Sequence, residues 1–504
     1  MTLREDSGPR TDPALAGLNT SRRILAIFGS VIVLGFIALR VAFLLAREPF
    51  FDDLFTVWIA RMDLTGLFTA LRLDSGPPLY YLFVHLLLLG FPSDQAAIEV
   101  VSHVRAFSLV VSLFALALVL FARHLGPARY LAALLLAVFP PHILFSTEAR
   151  AYALCALLAG VTVLSLHRWI QTSDMRLLFV ATTAATLAAY SHYYGVVILP
   201  LPFVAAIFRG RELMVRGLIA SAFAFLLFLP GFYLASSQPD EATRWMVTSN
   251  RDGLGVLLST AQQLGFAARY PDALLKTPPF LLQIVSISLV ALTVAWGIRR
   301  SVHARFFGAM TLTPIVMLAA IAQLRGSVYF PVRFESVLTI PFALLLAFSL
   351  VTLHGRVRVS FMATFLILGT TVAYGSLMAQ TADAQSPFRR TAAVARASIG
   401  SDAVILASGF SYLELASQSG RDWSPRIISF PSDQSLHPGW RSAPSQAQLD
   451  AERDALLLRL PGQFAWVGEG SSPEFLALSR ACASRPVYSS GPVFIAIFSC
   501  RPTY

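Results

Sequence analysis

The chain has 504 residues, 56% of them hydrophobic and only 13% charged, where a soluble domain carries about 25% charged residues. A mean hydropathy of +0.65 over this length excludes a soluble globular protein and points to a polytopic membrane chain. The net charge of +11 does not indicate nucleic acid, because the basic residues sit in short clusters between apolar segments, such as Arg299-Arg300 and Arg356-Val357-Arg358, as the positive-inside rule expects.

Residues 1–23 are polar and read as a disordered cytoplasmic tail. The apolar run 24–45 is too long for a signal-peptide core and long enough to span. Arg40 near its end is expected to snorkel outward or to pair with an acid of the following loop. Helical spacing of Asp53, Val57, Ala60 and Arg61, and of Leu64, Leu67, Phe68 and Leu71, predicts short amphipathic helices lying at the interface. The segment 77–91 is apolar but short, and Pro77-Pro78 marks a helix start.

If 77–91 lies along the membrane, the next spans fall near 104–122, 130–146, 151–169, 177–190, 194–208, 214–234, 279–298, 306–323, 335–353 and 360–379. With the N-terminus inside, the basic clusters at 123–129, 167–176, 209–216, 299–305 and 356–358 then all face the cytoplasm. A crossing by 77–91 would turn every one of them outward. Positive-inside thus selects an interfacial helix and about eleven spans. The segments 46–103, 146–150, 191–194, 235–278 and 325–335 and everything after 380 are then outside.

Residues 381–504 read as a small extracytoplasmic α/β domain, with strands near 403–407, 426–430, 464–467 and 493–498 and helices near 446–459 and 473–483. Gly468-Glu469-Gly470 lacks the third glycine of a dinucleotide fingerprint and reads as an ordinary turn. Cys155 lies in an apolar run and reads as packing, while Cys482 and Cys500 are either a disulfide or two free thiols. The expected fold class is an all-α polytopic membrane protein with interfacial helices in the first outer loop, ending in this α/β domain; 24–380 forms the membrane domain.

No Asp or Glu lies well inside a predicted span, which argues against an ion-coupled transporter or a flippase of a lipid-linked glycan, and no P-loop pattern is present. The candidate chemistry collects in the outer loops. Asp52 and Asp53 either cap a helix over 54–61 or provide a carboxylate whose pKa burial raises, a better general base. Asp74 precedes Ser75-Gly76-Pro77-Pro78 and is a turn residue or a third acid. Glu148 and Arg150 pair, cap, or belong to a site with Tyr152; Ser191-His192-Tyr193-Tyr194 adds a histidine to an aromatic belt. Arg325 and Arg333 place cations on the disfavoured side of the membrane, which calls for an anionic partner such as a lipid phosphate.

Asp52-Asp53 after span one, Asp74-Ser75-Gly76-Pro77-Pro78-Leu79-Tyr80-Tyr81, Arg105-Ala106-Phe107-Ser108 and Phe145-Ser146-Thr147-Glu148-Ala149-Arg150-Ala151-Tyr152 stand in this order. Over residues 24–235 the sequence resembles the polytopic GT-C glycosyltransferases, in particular bacterial relatives of dolichyl-phosphate-mannose–protein mannosyltransferases and of the aminoarabinose transferase that modifies lipid A. The resemblance implies an inverting enzyme of the bacterial inner membrane that moves a sugar from a polyprenyl-phosphate carrier to a lipid, glycan or protein acceptor on the outer face. It implies Asp52 as base, Asp53 as companion acid and Asp74 as the acid before the Pro-Pro turn. Arg150, His192, Tyr193, Arg325 and Arg333, and more weakly Lys276, are expected on the donor phosphate, supported by Glu148, Tyr152 and Tyr80. No cofactor or metal is expected, although Asp52, Asp53 and Glu148 would suit a divalent cation if they converged. Ser75-Gly76 stand where the aminoarabinose type has a lysine, and Arg333-Phe334 where an Arg-Tyr pair is common, so the sugar stays open.

Overall fold

The structure, a computed structural model, describes residues 22–47, 49–92, 95–239, 252–266, 280–325, 329, 333–382, 394, 397, 404–418, 426–432, 445–490 and 493–500. The expected tail lies almost wholly outside the described residues, and so does Lys276. The apolar runs fold as helices, the form in which a chain in hydrocarbon pairs its own backbone polar groups. α1 (Arg22–Ala46) leads into α2 (Phe51–Ala60), α3 (Leu64–Leu73), α4 (Pro78–Leu88) and α5 (Ala97–Phe121). Next come α6 (Ala128–Val138), α7 (Pro140–Phe145), α8 (Tyr152–Thr172), α9 (Met175–Ser191), a 3-10 turn (Tyr193–Ile198), α10 (Leu201–Ala206) and α11 (Arg211–Ser237). The helical part ends with α12 (Gly253–Leu264), α13 (Phe280–Arg300), α14 (Val302–Arg325), a 3-10 turn (Phe334–Leu338), α15 (Thr339–Val351) and α16 (Gly355–Ala382).

The chain is an all-α multi-pass membrane protein with a small C-terminal sheet. Eight described helical segments are long and apolar enough to cross a membrane: those of α1, α5, α8, α11, α13, α14, the stretch Phe334–Val351 and α16. The other expected spans, at 130–146, 177–190 and 194–208, correspond to shorter apolar pieces: α6 with α7, α9, and the stretch Tyr193–Ala206. α15 is the axis of the bundle. All its residues are buried, which is why it is apolar on every face. At its crossing with α13 only glycine fits, because a Cβ at Gly297 would lie 2.5 Å from Ser349 Cα.

The expected span 130–146 breaks at Phe139, whose extended backbone separates α6 from α7. Pro140 and Pro141 have no N–H to give to the carbonyls of Leu136 and Ala137 four residues earlier. Arg40 supplies those donors. Its Nη1 donates to Ala137 O at 2.6 Å and its Nη2 to Leu136 O at 3.2 Å. Arg40 is therefore fully buried, with Phe36 stacked 3.6 Å from its Cζ, and neither snorkels nor pairs with a loop acid.

Two parts of the expected outer loops are more enclosed than their sequence suggested. α2 has no wide wet face; Leu54, Phe55, Val57, Ile59 and Ala60 are all buried. It packs on α4 and α5, and the C-terminal region covers it through Trp58 and Tyr412, whose rings meet edge-on at 5.9 Å. α3 does keep an exposed apolar edge in Leu64, Phe68 and Leu73. α4 begins at Pro78 as expected. α12, inside the expected outer loop 235–278, enters the bundle. Gly253 N–H binds Gln323 Oε1 at the end of α14, while Phe266 reaches the core beside Phe139 and Phe365.

Among the described residues the C-terminal region holds five strands: β1 (Ile405–Ala407), β2 (Ile427–Ser429), β3 (Gln463–Gly468), β4 (Ala483–Ser490) and β5 (Val493–Ser499), in the order β2-β1-β3-β5-β4. β1 runs parallel to β2 and β3, and β5 antiparallel to β3 and β4. Helices α17 (Gly409–Gln418), α18 (Gln446–Leu457) and α19 (Pro473–Ala481) lie between strands. The sequence reading lacked α17 and β4. β4 carries Pro486 at a register shift and is an edge strand, where a missing N–H is tolerated. Gly468-Glu469-Gly470 is part of the turn into α19, capped by Ser472. Cys482 and Cys500 form a disulfide, and Cys155 is a buried thiol.

Candidate active site

The site forms where α1 ends, α2 begins and the segments before α8 and α15 converge. Asp52 lies in the first turn of α2. Its Oδ2 is 2.6 Å from Arg333 Nη2 and 3.9 Å from Arg150 Nε. Arg150 Nη1 also donates to Tyr81 Oη at 3.2 Å, and Tyr81 in turn donates to Asp74 Oδ2 at 3.2 Å. A chain of contacts thus runs Arg333–Asp52–Arg150–Tyr81–Asp74. Arg333 Cζ lies 5.9 Å over the ring of Tyr152, and Tyr152 packs against His192 at 5.2 Å. Tyr152 is buried and its hydroxyl has no hydrogen-bond partner among the described residues.

Beneath this chain a second network fixes the backbone. Asp53 is fully buried, and its Oδ1 accepts Ala149 N–H at 2.6 Å while its Oδ2 accepts Phe50 N–H at 3.3 Å. Glu148 pairs with Arg47 at 2.9 Å rather than with Arg150. Arg105 donates to Thr147 O and Arg47 O, each at 2.7 Å. The end of α1, the start of α2 and the 146–151 turn are thereby locked together, which leaves Asp52 and Arg150 facing each other.

The electrostatics correct two expectations. Burial alone would raise the Asp52 carboxyl, but Arg150 and Arg333 outweigh it, and the net shift is downward. Asp52 is held ionised, not turned into a strong base by desolvation. Burial pushes the imidazole of His192 down to about 3, helped by Arg150 and Arg333. It is neutral, so it can offer a hydrogen bond to an anion but no charge; its Nδ1 accepts Tyr194 N–H at 3.2 Å. Burial also raises Glu148, against the opposing pull of Arg47. For Arg150, burial is outweighed by Asp52 and Tyr81, and its guanidinium is held firmly charged.

The structure brings together Asp52, Asp74, Arg150, Tyr152, His192 and Arg333 of the residues the sequence singled out. Asp53 and Glu148 lie one layer below. Tyr80 turns its hydroxyl to Ser108 Oγ at 3.4 Å, and its neighbour Tyr81 takes the bridging place. Tyr193 Oη donates to Gln238 Oε1 at 3.0 Å, and Gln238 Nε2 binds Leu71 O and Gly76 O, so this pair holds the loop beneath Asp74. Arg325 is the last residue of α14, and its side chain lies outside the described residues. Arg47 and Arg105 carry the second network. Arg105 belongs to the Arg105-Ala106-Phe107-Ser108 motif, and nothing in the sequence marks Arg47 beyond its place at a span end. Among the described residues no three His, Cys, Asp or Glu side chains gather as a metal site.

No family model matches the chain, and no curated protein sequence matches it. Solved structures do. The ArnT of Cupriavidus metallidurans in the apo state aligns over 93% of this chain and 98% of its own, with a TM-score of 0.57 and 12% identity. The same protein bound to undecaprenyl phosphate aligns over 95% and 98%, with a TM-score of 0.56 and 11% identity. The Archaeoglobus fulgidus oligosaccharyltransferase tethered to an acceptor peptide aligns over 94% of this chain and 74% of its own, at 0.51 and 13%. The likeness runs nearly end to end, and the chain shares the fold of these structures.

Proposed function

We propose that the chain is an inverting glycosyltransferase that takes a sugar from a polyprenyl-phosphate-linked donor and passes it to a hydroxyl of a lipid, glycan or protein acceptor. The observation that carries this reading is Asp52 set between Arg150 and Arg333. A leaving phosphate needs its charge held while the carbon–oxygen bond breaks, and two guanidinium groups in a partly dry site suit that task. A carboxylate beside them suits removal of the acceptor's proton.

The two demands are linked. Without donor, Asp52 occupies both arginines. A donor phosphate competes for them and frees the carboxylate, whose pKa then rises toward that of a useful base. The acceptor oxygen forms its bond to the anomeric carbon on the face opposite the phosphate. Its proton goes to Asp52, and the bonding electrons of the broken bond leave with the polyprenyl phosphate. Tyr81 and Asp74 hold Arg150 in place, and the buried hydroxyl of Tyr152 lies on the same side as Arg333 without a hydrogen-bond partner among the described residues.

The placement of basic clusters supports an extracytoplasmic site, with the N-terminus inside and residues 381–504 outside, and the sequence resemblance supports a bacterial inner membrane. The undecaprenyl phosphate bound to the Cupriavidus metallidurans neighbour supports a carrier of that class here. Comparing glycolipids and glycoproteins by mass spectrometry in cells with and without this chain tests the reading. One missing sugar, restored by the wild-type chain but not by Asp52→Asn, is the expected result. Unchanged glycans, or rescue by the variant, would reject it.

A further inference from the structure

Helices α12 to α15 leave a cavity of about 470 Å³. Its walls are almost wholly apolar and include Val290, Val294, Leu312 and Phe342, with Gly308 and Ala309 giving it depth. Ala291 and Leu312 are exposed, so the cavity opens sideways as a groove toward lipid. Arg305 stands at its far rim, exposed and with no hydrogen bond or ion pair from its guanidinium among the described residues. Arg299 and Arg300 end α13, and Arg305 N–H binds Ser301 O in the turn between the helices, so three cations share one helix junction.

A dry groove in a membrane fills with a hydrocarbon chain, and the cations at its mouth select what that chain is attached to. The length of the groove selects further. From Ile287 to Ile298 the wall spans about 16 Å at the helical rise, roughly half of the ~30 Å hydrocarbon core. That suits a chain confined to one leaflet, with its phosphate on the side opposite the Asp52 site. We infer that this groove binds an anionic phospholipid, one acyl chain lying along α13 and α14 and the phosphate resting on Arg305 with Arg299 and Arg300 beside it.

The test uses the purified full chain in mild detergent, stripped of lipid, with bound lipids counted by native mass spectrometry. Phosphatidylglycerol is expected to bind saturably at one site, and phosphatidylethanolamine much less. Arg305→Gln should weaken it about fivefold, the effect of one surface cation on an anionic lipid. Gly308→Leu should abolish it by filling the groove. Its new Cβ would sit 3.3 Å from Ile298 Cδ1, a side-chain end able to shift, so the variant is expected to fold, which its lipid-free melting temperature checks. Equal binding of the two phospholipids, or no change in Arg305→Gln, overturns the inference. So does one-for-one displacement by undecaprenyl phosphate, which would assign the groove to a donor's tail. No activity is read, so the result stands apart from the proposed transfer reaction.

Discussion

The guanidinium of Arg333 and the carboxylate of Asp52 meet at 2.6 Å although 281 residues separate them. Arg150 completes the clamp from another loop. Asp52→Asn keeps the shape but loses the charge and the proton acceptor. It is expected to lower transfer by at least about 10²-fold, the usual contribution of a general base, with an unchanged gel-filtration profile. Arg333→Lys should retain some activity, because a lysine restores the charge without the planar fork. Assays with a polyprenyl-phosphate sugar would read both; near-normal turnover in Asp52→Asn would remove Asp52 from the mechanism.

Tyr81 joins Arg150 to Asp74 through its hydroxyl. Tyr81→Phe removes those two bonds and keeps the ring. The loss of about 1 kcal/mol in positioning corresponds to a roughly fivefold fall in kcat/KM. Tyr80→Phe, whose hydroxyl faces Ser108, serves as the control and should change little.

Arg40 stands in for backbone donors that Pro140 and Pro141 lack. Arg40→Met leaves two buried carbonyls without partners, and is expected to cost about 2–4 kcal/mol. A lower melting temperature in detergent is the readout. Arg40→Met combined with Pro140→Ala should recover part of the loss, because the alanine offers an N–H to Leu136.

His192 titrates near 3 in the folded chain, well below the ordinary value of about 6.5. The sign follows from the depressed folded pKa of a base. The folded state prefers the neutral ring, so His192 favours folding fully above pH ~6.5 and progressively less as pH falls toward 3. His192 therefore places no step in activity between pH 6 and 8. His192→Gln should leave the shape of the pH–rate profile in that window unchanged and should soften the loss of stability in acid; an altered profile would show a charged role for the ring.

The sequence determined the class of the molecule and pointed to several of the residues that the fold brings together around Asp52. Hydropathy depends on composition along the chain, so it marks apolar runs wherever they pack. Motif order marks Asp52, Asp74, Arg150 and Tyr152 as candidates, and position at the expected outer helix ends marks His192 and Arg333. It did not divide their labour. Whether Asp53 faces a substrate or caps Ala149 and Phe50 depends on a turn 96 residues away. Whether burial raises or lowers an acid depends on which arginines reach it, and Arg333 arrives from the far part of the chain. Tyr80 and Tyr81 are equivalent in sequence and differ only in which side of α4 faces Arg150. The sequence does not reveal that α2 is covered, because the helix that covers it, α17, belongs to the last quarter of the chain. Local pattern fixes what a segment can bury; only long-range packing decides what it is buried against, and the charges that act in this site are set by that second choice.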